Sequence, residues 1–126
     1  MKKLVSDTRI AYTAGFIEAD GCFNISSSPT IRITNKHIPT LQRFVDWWGG
    51  SIRSKVQPPD CWEWNLSGPA VVPMIDLLMP YLMMKKDSAQ CLLDFRLTIG
   101  ARGRRITAET KLVRESIIQR LRDSRV

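Results

Sequence analysis

Twice along this 126-residue chain, a run of helical periodicity closes on glycine and the apolar spacing drops at once to two. The first switch follows Gly21 and the second follows Gly49-Gly50. Ahead of the first lies a helix over about Thr8 to Ala19, with Asp7 as its candidate cap and Gly21 free to take a positive φ and stop it. After it, Phe23 and Ile25 alternate with Asn24 and Ser26. Ile31 and Ile33 then alternate with Arg32 and Thr34 across a turn near Pro29. Pro39 opens a second helix in which Leu41, Phe44, Val45 and Trp48 fall at helical spacing. A second hairpin follows around Pro58-Pro59-Asp60, with Ile52 and Val56 alternating with Arg53 and Lys55, and Trp62, Trp64 and Leu66 with Glu63 and Asn65. Further helices are predicted from Pro69 to about Met79, Asp87 to Ile99 and Thr107 to Asp123. The order predicts one α+β domain over residues 1–126, of αββαββα type, whose four-stranded antiparallel sheet is covered by helices on one face only.

The uncovered face is then wet and polar. The alternation places Asn24, Ser26, Ser28, Arg32, Thr34, Arg53, Lys55, Glu63 and Asn65 on it. That panel mixes donors and acceptors suited to base edges in a major groove: Arg and Lys to guanine, Asn to adenine, Glu to the cytosine amine. A net charge of +7, from 19 Lys and Arg against 12 Asp and Glu, favours a polyanionic partner. Arg102, Arg104 and Arg105 form a candidate phosphate clamp. Three of the four tryptophans fall in register with other apolar residues, which favours core packing over base stacking, Trp47 being the exception. Cys22, Cys61 and Cys91 lack C-x-x-C spacing and His37 stands alone, a pattern that builds neither a structural zinc site nor a disulfide framework. No signal-peptide core follows Met1-Lys2-Lys3, and the most apolar stretch is broken by Pro73, Asp76 and Pro80. A reduced, soluble, intracellular protein without a membrane span is expected.

Tyr12 to Gly21 reads Y-T-A-G-F-I-E-A-D-G. Ala11, Gly15 and Ala19 recur every four residues, with Ala14 beside them, so a second helix could approach this face closely. Asp20 then stands at a helix C-terminus, where the macrodipole adds to its pull on a cation. Two copies meeting along this face would bring two carboxylates side by side, an arrangement that divalent metals stabilise and that suits phosphodiester hydrolysis.

The string resembles the signature of the LAGLIDADG homing endonucleases, with Ala14, Gly15, Ile17, Ala19, Asp20 and Gly21 as that signature spells them and Thr13, Phe16 and Glu18 replacing other letters. Pro80-Tyr81-Leu82-Met83-Met84-Lys85-Lys86, followed by Ala89, is similar to a second block of the family. The resemblance implies a metal-dependent nuclease acting in intron homing, cutting both strands of double-stranded DNA and leaving short 3′ overhangs. With one motif visible, it implies a homodimer on a long near-palindromic site, packed through Ala11, Ala14, Gly15, Glu18 and Ala19. It makes Asp20 the acid that binds Mg²⁺ (Mn²⁺ or Ca²⁺ being able to occupy the site), with the Ala19 or Gly21 carbonyl as a further ligand. Lys85 becomes the basic residue near the attacking water, with Lys86 as its alternative, and Asn35 a water-positioning candidate. The same resemblance leaves open an intron RNA maturase or a non-cleaving DNA-binding protein of the same fold. Retention of Asp20 and Lys85 favours the nuclease.

Overall fold

The structure, a computed structural model, describes residues 5–55, 60–98 and 107–124. Helix α1 runs Asp7–Asp20. Its cap is Ser6, whose side chain accepts from the Arg9 amide. Asp7 lies one residue further in, where its charge still favours the helix N-terminus. Strands β1 (Gly21–Ile25) and β2 (Pro29–Asn35) form the first hairpin. Helix α2 (Ile38–Trp48) carries Pro39 in its first turn and ends at Gly49 and Gly50, both at positive φ. Strands β3 (Ser51–Ser54) and β4 (Trp62–Ser67) follow, and the Pro58-Pro59 part of their turn lies outside the described residues. A 3-10 turn at Gly68–Ala70 leads into α3 (Val71–Leu78), and another at Met79–Tyr81 precedes α4 (Lys86–Arg96) and α5 (Ala108–Asp123).

Gly21 departs from expectation. Its φ of −99° and ψ of 175° are extended, so α1 passes straight into β1 without a left-handed residue. Glycine is required there for space: a Cβ would lie 2.7 Å from the Ile17 Cα.

The sheet is antiparallel throughout, in the order β1-β2-β4-β3. The two hairpins therefore join along their inner strands, with Arg32 opposite Asn65 and Thr34 opposite Glu63. One face is buried: Phe23, Ile25, Ile31, Ile33, Trp64 and Leu66 pack against Ile10, Ala14 and Ile17 of α1, Leu41 and Phe44 of α2, and apolar residues of α3 and α4. This is the one-sided α+β architecture that the alternation predicts. The tryptophans belong to it too. Trp64 is fully buried with its Nε1 donating to the Gly49 carbonyl, and Trp47, Trp48 and Trp62 pack partly buried against the core. Thr13, at a position where the motif has an apolar residue, is buried. Its hydroxyl donates to the Arg9 carbonyl and accepts from Trp48 Nε1, so no polar group is stranded. Helix α5 is clasped to α4 by Arg120 and Asp94. Burial alone would raise the Asp94 carboxyl, but hydrogen bonds from Arg120 and Gln90 outweigh it and hold it below the usual carboxylate range.

Candidate functional site

The end of α1 is the meeting point of three distant segments. Gly21 pairs with Ile33 across the first hairpin, which brings the last residue of β2, Asn35, beside the last residue of α1, Asp20. Asn35 Nδ2 donates to Asp20 Oδ2 at 3.1 Å, while Asn35 Oδ1 accepts from the His37 amide at 2.8 Å. The backbone donor fixes which end of the Asn35 amide faces Asp20.

Lys85 comes from the other side. Its Nζ donates to the carbonyls of Ile17 at 2.7 Å and Gly21 at 2.5 Å. The ammonium therefore sits on the negative end of the α1 dipole, away from the solvated position at the start of α4 that its place in the chain would suggest. Lys86 is exposed. The loop that delivers Lys85 is held by Glu18, whose carboxylate accepts from the amides of Met83 (2.6 Å), Met84 (2.9 Å) and Lys85 (3.3 Å). Met83 and Met84 lie in the loop just before α4 and Lys85 is its cap residue, so Glu18 satisfies three successive backbone donors ahead of the helix. Sequence reasoning assigned Glu18 to a dimer face and missed this task; the separation of 65 positions between Glu18 and Met83 hides it from any local pattern.

Two more expectations change. Ala14 is fully buried in the chain's own core and is not available to a partner, whereas Gly15 and Ala19 are exposed and Ala11 is half-buried. The Gly21 carbonyl, a candidate metal ligand, is turned to the Lys85 ammonium, where a divalent cation would be repelled. The exposed Asp20 carboxylate and the Ala19 carbonyl remain as oxygen donors of the kind that Mg²⁺ or Ca²⁺ takes. Among the described residues no three His, Cys, Asp or Glu cluster to hold a metal, so further ligands would come from a substrate or a second chain.

On the open sheet face Ser26 and Arg53 are exposed, and Asn24, Ser28, Arg32, Thr34, Lys55 and Asn65 are half-buried. Glu63 is not open to a base edge. It is 3% exposed and ion-paired with Arg32, Arg53 and Lys55, so it cannot accept from a cytosine. Arg102, Arg104 and Arg105 lie outside the described residues.

No protein-family model matches the chain, and no curated protein matches it in sequence. Solved structures do match. The archaeal intron-encoded homing endonuclease I-Vdi141I, complexed with DNA, aligns with a TM-score of 0.82 at 18% identity over 94% of this chain and 84% of its own. The homing endonuclease I-CvuI, in complex with its target in the presence of Ca, aligns at 0.74 and 18% identity over 94% and 91%. The LAGLIDADG homing endonuclease I-SmaMI, bound to cleaved DNA, aligns at 0.75 and 14% identity over 93% of this chain but 45% of that one. The chain has the LAGLIDADG homing-endonuclease fold. Within that fold it corresponds to nearly all of I-CvuI and to about half of I-SmaMI.

Proposed function

We propose that the protein is a homodimeric, metal-dependent, site-specific DNA endonuclease that breaks both strands of a long near-palindromic site. The observation that carries this reading is the convergence at the end of α1, where an exposed carboxylate, Asp20, is held by Asn35 beside a lysine anchored on the same helix terminus. The DNA-bound neighbours of the same fold support it, and the intron-encoded one supports a role in intron homing.

Each residue has a task in hydrolysis. Asp20 and the Ala19 carbonyl would hold the ion, which when bound supplies charge to the scissile phosphate and lowers the pKa of an attacking water. Asn35 keeps the Asp20 carboxylate in one orientation. Lys85 places positive charge next to the phosphate on which negative charge grows. The net charge of +7, doubled in a dimer, draws the duplex to the protein. Arg53, Arg32 and Lys55 on the open sheet face supply donors for base edges.

The exposed glycine of α1 supports the dimer. Gly15 is exposed mid-helix with nothing within 4 Å of where its Cβ would be, so within one chain it forgoes about 1 kcal/mol of helix propensity for no visible gain. A second α1 approaching along Gly15 and Ala19 accounts for it and sets the two Asp20 residues near the twofold axis. Gly15→Leu is accordingly expected to weaken self-association at least tenfold while leaving the melting temperature of the isolated chain no lower. Sedimentation velocity and thermal denaturation check the two halves separately.

The function itself is tested by cleavage selection on a randomised duplex library with Mg²⁺ and with EDTA, sequencing the cut ends. Recovery of one long near-palindromic site with metal alone is the expected result. Tight binding of duplex or intron RNA with no cut ends would replace this reading with a non-cleaving DNA-binding protein or a maturase.

A further inference from the structure

The centre of the open sheet face holds a buried carboxylate beneath three cations. Glu63 lies on β4 between its two neighbours, directly opposite Thr34 on β2 and Arg53 on β3. Arg32 lies two residues along β2 from Thr34, Lys55 follows one residue past the end of β3 and two past Arg53, and all three cations reach Glu63 on the same face. The Glu63 side chain is 4% exposed, against 39% for Arg32, 61% for Arg53 and 34% for Lys55. The cations therefore cover the carboxylate and meet any docked molecule first.

Two oxygens are shared unequally among three cations. Arg53 reaches both, Nε to Oε2 at 3.4 Å and Nη2 to Oε1 at 3.4 Å and Oε2 at 3.3 Å. Lys55 Nζ stands 4.0 Å from Oε2. Arg32 Nε is 3.4 Å from Oε1 yet is buried with no hydrogen bond. A buried N–H without an acceptor is unfavourable, so Arg32 would take the Glu63 oxygens if Arg53 released them.

We infer that Glu63 is a positioning residue, a shared counter-ion through which Arg32, Arg53 and Lys55 recognise a DNA duplex as one coupled unit and not as three independent contacts. The inference rests on the DNA reading above. When the Arg53 guanidinium turns to a guanine edge or a phosphate, its acceptor passes to Arg32, which is then held against the sheet. The base pair beneath Arg32 is consequently read differently according to what Arg53 has found. The cluster keeps an excess of positive charge, three cations to one anion, so the coupling acts on specificity without cancelling attraction to the duplex.

The test is a binding selection from a randomised duplex library, with Ca²⁺ replacing Mg²⁺, using wild type, Glu63→Gln, Arg53→Gln and Arg32→Gln. Glu63→Gln is expected to bind random-sequence duplex as tightly as wild type or tighter, while base discrimination under the cluster falls about tenfold per base pair. Arg53→Gln is expected to change preference at its own base pair and at that of Arg32. A wild-type preference profile in folded Glu63→Gln, or an Arg53→Gln effect confined to one base pair, overturns the inference. If Glu63→Gln does not fold, the Arg32→Gln, Arg53→Gln double mutant decides: non-additive losses in binding support coupling, and additive ones overturn it. If wild type enriches no site, the inference falls together with the DNA reading, a failure visible in the wild-type arm before any Glu63 variant is compared.

Discussion

Asp20→Asn is expected to slow strand cleavage by about three orders of magnitude or more and to leave duplex binding intact. The substitution is nearly isosteric, and the new amide oxygen can still accept from Asn35 Nδ2, which donates to Asp20 Oδ2 at 3.1 Å. What disappears is the exposed negative charge of Asp20 at the end of α1, and with it the hold on a divalent ion. Removing an anion that faces phosphates makes association no weaker. Single-turnover cleavage and fluorescence anisotropy in the same buffer separate these effects. Cleavage by the variant at the wild-type rate would remove Asp20 from the mechanism.

Gly21→Ala should lower stability by about 1–3 kcal/mol, although the new methyl group is the smallest possible addition. The backbone there is extended, so the φ of −99° suits alanine, and the reduced freedom of the unfolded chain would favour the variant by about 0.4–1 kcal/mol. The opposing contacts are harder to relieve. The added Cβ would stand 2.7 Å from the Ile17 Cα and 2.9 Å from its Cγ2, and Ile17 is fully buried in the core. Relief requires α1 to move away from β1, which also shifts Asp20 relative to Asn35 and separates Lys85 Nζ from the Ile17 and Gly21 carbonyls. Urea denaturation should therefore show an earlier midpoint, and cleavage should fall further than stability alone would predict. An unchanged midpoint would mean that the join tolerates a side chain and that glycine serves another purpose there.

These two positions show where sequence reasoning holds and where it stops. Asp20 was legible because a local pattern carries it: an apolar helix ending in Asp-Gly. Gly21 was legible as the helix stop, but for a reason the structure replaces, since steric contact with Ile17 and not a positive φ requires it. Periodicity could not show that Ala14 turns into its own core while Gly15 and Ala19 stay outside, because small residues give the helix face no hydrophobic contrast.

Residue spacing and composition were enough for the elements: helix-then-hairpin twice over, a one-sided antiparallel sheet, the inward packing of three of the four tryptophans, the acid at the end of α1 and the surplus of positive charge. Those properties depend on residue spacing of two or about four and on composition, which any short window displays. Which distant groups meet depended on how those elements pack. The pairing of β4 with both β2 and β3 put Glu63 beneath Arg32, Arg53 and Lys55. The docking of the loop before α4 gave Glu18 three amides to accept from, and gave the Lys85 ammonium two carbonyls more than sixty residues away. A carboxylate or an ammonium carries no local mark of its partner. Its role is set by whichever opposite charge or unsatisfied backbone group the packed core brings within about 3 Å.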